Sequence, residues 1–330
     1  MMGIQAVDAA LVQWGERLFF PANRIVKADP APRMTSPIKH KADAIRRRIQ
    51  AIAVRRAPQV VVKVAGGGRG MRDIAAHFRY ISRDGVLTLE DDRGVGRTGS
   101  DGLQDLADQW RYGGSRIPEV SHRREALNLM LSMPHGTDPA KVLAAARAFG
   151  KTELTGNFYV MVLHEHQAHP HVHLTLRSES RSGERLRSWH ERYQWRESFA
   201  EKLRELGVDA EATPQWTRGE LQRTEPLWRK REQLRDLPHM PHPEKKSGEA
   251  CDNSRAEAMR CWAHIMQALG QSSEPADRQL ADQIDGFVRS TPFLAEVARR
   301  RQHQAPTHER GDLQRQRERV WTRADPELIR

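Results

Sequence analysis

The chain has 330 residues, with 54 Lys or Arg against 43 Asp or Glu, a formal net charge of +11, and a mean hydropathy of −0.74. That length allows one or two folded units with tails, and the polar composition points to exposed helix or disordered segments beside any core. No run nears the ~18 apolar residues of a membrane span, Asp8 and Glu16 interrupt what a signal peptide would keep apolar, and two cysteines build no disulfide framework; the expectation is a cytoplasmic protein, neither integral to a membrane nor secreted.

The basic excess is mostly arginine, which suits bidentate phosphate contact and points to nucleic acid. Residues 1–57 join an amphipathic start (Leu11, Trp14, Leu18, Phe19), a proline-containing loop and the cations Arg46, Arg47, Arg48, Arg55 and Arg56. They read as a basic N-terminal arm, helical or disordered. The β-branched run Val60 to Val64, closed by Gly66, Gly67 and Gly68, predicts a buried strand entering a tight turn. A helix follows, with Met71, Ile74, Phe78 and Ile81 on its apolar face and Asp73, His77 and Tyr80 on the other.

Leu127 to Pro134 alternates as a half-buried strand, and Asp138 with Pro139 opens a helix running to about Phe149. Phe158 to Leu163 and His171 to Leu176 read as an antiparallel hairpin. Trp195, Phe199, Leu203 and Leu206 form a helical stripe that Gly207 stops. Residues 58–215 are thus the expected compact domain. Residues 216–330 are a charged, helical accessory region, partly disordered, with helical windows near 254–269 and 276–300.

The chemistry concentrates in one short segment holding His164, His166, His169, His171 and His173. Side chains alternate along a strand, so His171 and His173 share a face, and His164 at the end of the neighbouring strand reaches the same place. Three imidazoles converging there suit a divalent metal, which acts as a Lewis acid on phosphoryl oxygen. A nucleophile is still needed. Tyr159 lies in an apolar strand and Tyr112 and Tyr193 stand beside helical tryptophans, whereas Tyr80 is off its helix's apolar face, next to His77 and Asp73.

Three blocks in order resemble a relaxase of the HUH endonuclease superfamily, of the mobilisation and T-DNA border endonuclease type. They are Gln59 to Gly68 followed by Arg79 to Gly85, Leu129 to Asp138, and His164 to His173. The resemblance spans about residues 58–218. It implies an α+β fold with a five-stranded antiparallel sheet and flanking helices, to which the accessory region adds a helical C-terminal part. It implies Tyr80 as nucleophile, His164, His171 and His173 as ligands of Mg²⁺ or Mn²⁺, and Ser132, Arg79 and Arg83 as DNA contacts.

The activity so implied is nicking of one strand at a transfer origin through a 5′-phosphotyrosyl intermediate. The implied partners are single-stranded origin DNA, an accessory relaxosome protein and a secretion coupling protein. His169 is an alternative third ligand, and His77 and Asp73 are candidate bases. One departure stands out, since the family's Asp two residues after the first motif histidine is here His166, preceded by Glu165; either Glu165 takes that place or the activity is altered. A replication initiator of the same superfamily is an alternative, although initiators usually place the tyrosine after the histidines. A catalytically degenerate DNA-binding module is another.

Overall fold

The structure, a computed structural model, describes residues 3–20, 37–165, 169–186, 188–221 and 248–304, without the side chains of 188–193 and 301–304. Helices α1 (Ile4–Phe19) and α2 (Ile38–Ile49) lead into a short π-helical turn, Gln50–Val54. Then follow β1 (Val61–Gly66), α3 (Met71–Ser82), β2 (Leu89–Asp91), β3 (Gly96–Arg97), α4 (Gly99–Tyr112), β4 (Ala126–Ser132), α5 (Pro139–Glu153), β5 (Asn157–His164), β6 (His171–Ser180) and α6 (Ser188–Glu205). A 3-10 turn, Gln215–Arg218, and helices α7 (Glu249–Gly270), α8 (Pro275–Arg289) and α9 (Pro292–Gln304) complete the described chain.

The fold is α+β around one antiparallel sheet of order β1-β4-β6-β5-β2-β3. It has six strands where five were expected. The difference lies at one edge, where β2 and β3 span three and two residues, too short for an alternating pattern to register in sequence. Alternation in the long strands sends Leu127, Leu129, Leu131, Tyr159, Met161, Val172, Leu174 and Leu176 to one face. There they form a core with Val142, Phe149, Trp195, Phe199 and Leu203 of α5 and α6. The opposite face carries Ala126, Phe158, Val160 and Val162, which pack against Met71, Ile74, Phe78 and Ile81 of α3 and Leu106 and Trp110 of α4.

The turn after β1 brings its backbone close to other backbone. A Cβ on Gly67 would meet the Ala126 carbonyl oxygen at 2.1 Å, and Gly70, at φ +120°, would meet the Glu119 carbonyl oxygen at 2.4 Å. Only glycine fits such approaches, and they fix where α3 starts. Asp138 caps α5 by accepting the Ala140 N–H at 2.9 Å, with proline at the first turn.

The helices near the two ends of the chain, expected as an arm and an accessory region, share a third core. Val7, Leu11, Leu18 and Phe19 of α1 and Ile45 and Ile49 of α2 pack against Trp262, Ile265 and Leu269 of α7 and Ile284 and Phe287 of α8. Arg46 is tied to the buried Asp8 at 2.7 Å and to Asp277 at 2.9 Å. Arg48 links this bundle to the sheet domain by pairing with Glu197 at 2.6 Å and Glu211 at 3.1 Å. Among the described residues no helix is long and apolar enough to cross a membrane.

Candidate active site

Strand register builds the site. Directly opposed residues on adjacent antiparallel strands point to the same face, and Val61, Ser132, His171 and His164 are opposed in sequence across β1, β4, β6 and β5. The next rung on that face is Lys63, Met130, His173 and Val162, and the one after it Gly66, Asn128, Thr175 and Val160. Polar side chains on rungs roughly 7 Å apart thus line the face opposite the α5/α6 core. On β1 and β4, Val61, Lys63, Asn128 and Met130 are only half-buried, so this half of the face is left open.

His164, His171 and His173 are all buried, with one ligand-capable atom of each within 4.8 Å of the others. Their ring centroids are 4.6–5.2 Å apart. Two of the rings have their protons placed by carbonyls, which can only accept. His164 Nε2 lies 2.7 Å from the Ile81 carbonyl oxygen, and His171 Nδ1 lies 2.9 Å from that of His169. A neutral ring donating in this way keeps its lone pair on the other nitrogen, the state a metal ligand needs. The donor set therefore fits a divalent cation, and among the described residues no other group of three His, Cys, Asp or Glu meets that test.

The Ile81 carbonyl belongs to the last turn of α3, one residue beyond Tyr80, so the first histidine of the cluster fastens the C-terminal end of the tyrosine-bearing helix. Helix α3 closes on the left-handed residue Arg83, and Asp84 N–H donates to the Arg79 carbonyl at 2.8 Å. Tyr80 is 43% exposed, and the His77 ring, one turn earlier, is 6.1 Å away centroid to centroid. Tyr159 contrasts with it, being 4% exposed in the α5/α6 core, where burial pushes its phenol up to about 12. Exposed Arg79 and Arg83 flank Tyr80 along the chain.

Other sequence-predicted residues are placed elsewhere. Asp73 is seven residues before Tyr80, roughly 10 Å along the helix axis; it accepts the Arg69 N–H at 3.0 Å at the opposite end of α3. The His169 ring is exposed and accepts the His135 N–H at 3.0 Å through Nδ1. Ser132 is buried on the same rung as His171, its hydroxyl donating to the Pro170 carbonyl at 3.3 Å. Glu165 is exposed just past the end of β5, and His166 lies outside the described residues. Trp110 and Trp195 are core residues, 1% and 2% exposed. Sequence reasoning missed the Ile81 carbonyl, which no side-chain pattern signals, and Lys63 and Asn128, whose place on the histidine face depends on strand pairing.

A buried three-imidazole cluster on an antiparallel sheet, with the end of a tyrosine-bearing helix fastened to it, joins a candidate metal site to a candidate nucleophile. In agreement, residues 80–208 match the family described as "Relaxase: MobA/VirD2-like, nuclease domain". The match starts at Tyr80 and takes in all three histidines, and it supports assigning this stretch to the relaxase type of the HUH superfamily. No curated protein matches the chain.

Proposed function

We propose that the protein nicks one strand of DNA at a transfer origin by tyrosine transesterification. The observation that carries this reading is the 2.7 Å contact between His164 and the carbonyl next to Tyr80, which ties nucleophile and ligand cluster into one unit. The Tyr80 hydroxyl oxygen attacks the scissile phosphorus, the bond from phosphorus to the 3′ oxygen breaks, and that oxygen leaves as a 3′-hydroxyl. A 5′-phosphotyrosyl link remains, conserving the phosphodiester for rejoining after transfer. His77, one helical turn away, is the neighbouring group suited to accept the phenol proton. A divalent cation, Mg²⁺ or Mn²⁺, held by His164, His171 and His173 would supply Lewis-acid polarisation of the scissile phosphate.

Lys63, Arg79 and Arg83 supply positive charge for a single strand lying along the open half of the sheet face, and Ser132 stands at the His171 rung. An extended strand suits this cleft, because a tyrosine at a sheet face does not reach a phosphate within an undeformed duplex. An accessory DNA-binding protein and a secretion coupling protein are the partners this role implies.

The test is incubation of the full chain with Mn²⁺ and labelled single-stranded DNA that includes sequence flanking its own locus, read on a denaturing gel. Wild type is expected to give a covalent adduct that both Tyr80→Phe and His171→Ala abolish. Cut DNA with no adduct would sink the transesterase reading in favour of metal-assisted hydrolysis.

A further inference from the structure

We infer that Asn128, backed by Thr175, is a base-reading subsite in the floor of the same cleft; this rests on the proposed reading as a single-strand nuclease. The two residues face one another across β4 and β6 on the rung directly after that of His173. Asn128 Oδ1 and Thr175 Oγ1 are both buried and have no hydrogen-bond partner. Thr175 is 0% exposed, while Asn128 stands at the open half of the face.

Leaving two buried polar atoms unpaired is unfavourable, and apolar residues of the same shape would remove that cost. Neighbouring positions on the opposite face are leucines, so the strand tolerates apolar residues readily. The third member of the rung adds the space a ligand needs. At Gly66, where β1 bulges, a side chain would find only the Asn128 amide nitrogen, 4.0 Å away. Gly66 therefore leaves open space beside the Asn128 amide nitrogen, two rungs from Ser132, His171 and His164.

A carboxamide presents one donor and one acceptor side by side, the complement of a base edge, with adenine N6–H₂ and N7 the best match. A phosphate would need donors only and would leave Asn128 Oδ1 unpaired. The nucleotide read here is therefore recognised by its base. Thr175 acts as a positioning residue from the opposed position on β6.

The experiment uses the full chain, Mn²⁺ and single-stranded oligonucleotides randomised around the wild-type nick, with the covalently attached strands sequenced. Binding selection with Tyr80→Phe on the same pool reads base preference independently of cutting. Asn128→Ala is expected to erase an adenine preference of roughly 5- to 100-fold at one position near the nick, the range of a two-point contact with a base. The other positions keep their profile, and Thr175→Val weakens the same position to a smaller extent. An unchanged profile in both variants, or a uniform loss at every position, overturns the subsite while adduct formation by wild type keeps the nuclease reading. If wild type forms no adduct yet binding selects that position through Asn128, the nuclease reading fails and the subsite stands. Melting temperatures of both variants within a few degrees of wild type, or above it, separate recognition from folding.

Discussion

At the scale of single residues, the protein sorts its tyrosines by environment. Tyr80 is exposed at the end of α3, whereas Tyr159 is enclosed beneath α5, close enough to Gly150 that a Cβ there would meet its hydroxyl at 2.8 Å. We expect Tyr159→Phe to leave adduct formation within about twofold of wild type. It should also remove a pH dependence of stability. The folded Tyr159 phenol ionises at about 12 and an unfolded one near 10, so the folded state holds its proton more tightly. The resulting stability is fully present below pH ~10 and is lost as pH rises through ~12. Urea unfolding at pH 9 and 11 checks this, since a wild-type loss that Tyr159→Phe retains in full would refute the assignment.

The site is only partly legible in the sequence, for a reason that lies in single residues. The spacing of His171 and His173 on a strand is a local property, and so is the position of Tyr80 off the apolar face of its helix. Asp73 shares that face by the same periodicity, but the axial distance along α3 separates it from Tyr80 and leaves it bonded at the helix start. Angular position on a helix is readable from sequence; which end of the helix meets another strand is not.

Elements form where local signals agree. In α5, Asp138 supplies the cap and Pro139 the first turn, and Phe149 faces Trp195 and Phe199 with both ring pairs near perpendicular. Asp138→Ala should cost about 1 kcal/mol, visible as a lowered denaturation midpoint with an unchanged slope. Phe149→Ala removes an aromatic ring from a fully buried site and should cost about 3–5 kcal/mol. If the two losses prove equal, packing is not what holds α5 on the sheet. Helix α3 is held differently, by glycine-permitted backbone approach at its start and by the His164 contact at its end. The short strands β2 and β3 have no such local signature, because their pairing is dictated by β5 and the turn that joins them.

At the scale of the molecule, one sheet separates two functions of its faces. One face is closed by α5 and α6; the other is half covered by α3 and α4 and elsewhere open, with the histidines at the border. Arg177, further along the same face, is buried and donates to the carbonyls of Trp110, Gly113 and Ser115, pinning the end of α4. Burial lowers its pKa, consistent with a guanidinium held by carbonyl dipoles rather than by a carboxylate.

The helical core joins α1 and α2 to α7 and α8 through contacts across most of the chain, and Arg46 on α2 bridges Asp8 of α1 and Asp277 of α8. Arg46→Ala strands two buried carboxylates and should cost about 3–5 kcal/mol. Arg289→Ala, which breaks an exposed pair with Asp285, should leave the midpoint unchanged. Equal effects in chemical denaturation would show that this ion network does not organise the bundle.

What the sequence by itself determined follows from periodicity and composition. The helix of Tyr80, the capped helix at Asp138, the long strands, the histidine face and the basic charge all depend on residues within a few positions of one another. The tertiary structure alone decided the order of the strands, the meeting of His164 with the end of α3, the rung that sets Asn128 beside Thr175, and the joining of the chain's N-terminal and C-terminal helices in one core. Those features are pairings between distant segments. Which partner a buried face finds is settled by the competition of all such faces for burial, and no local pattern contains that choice.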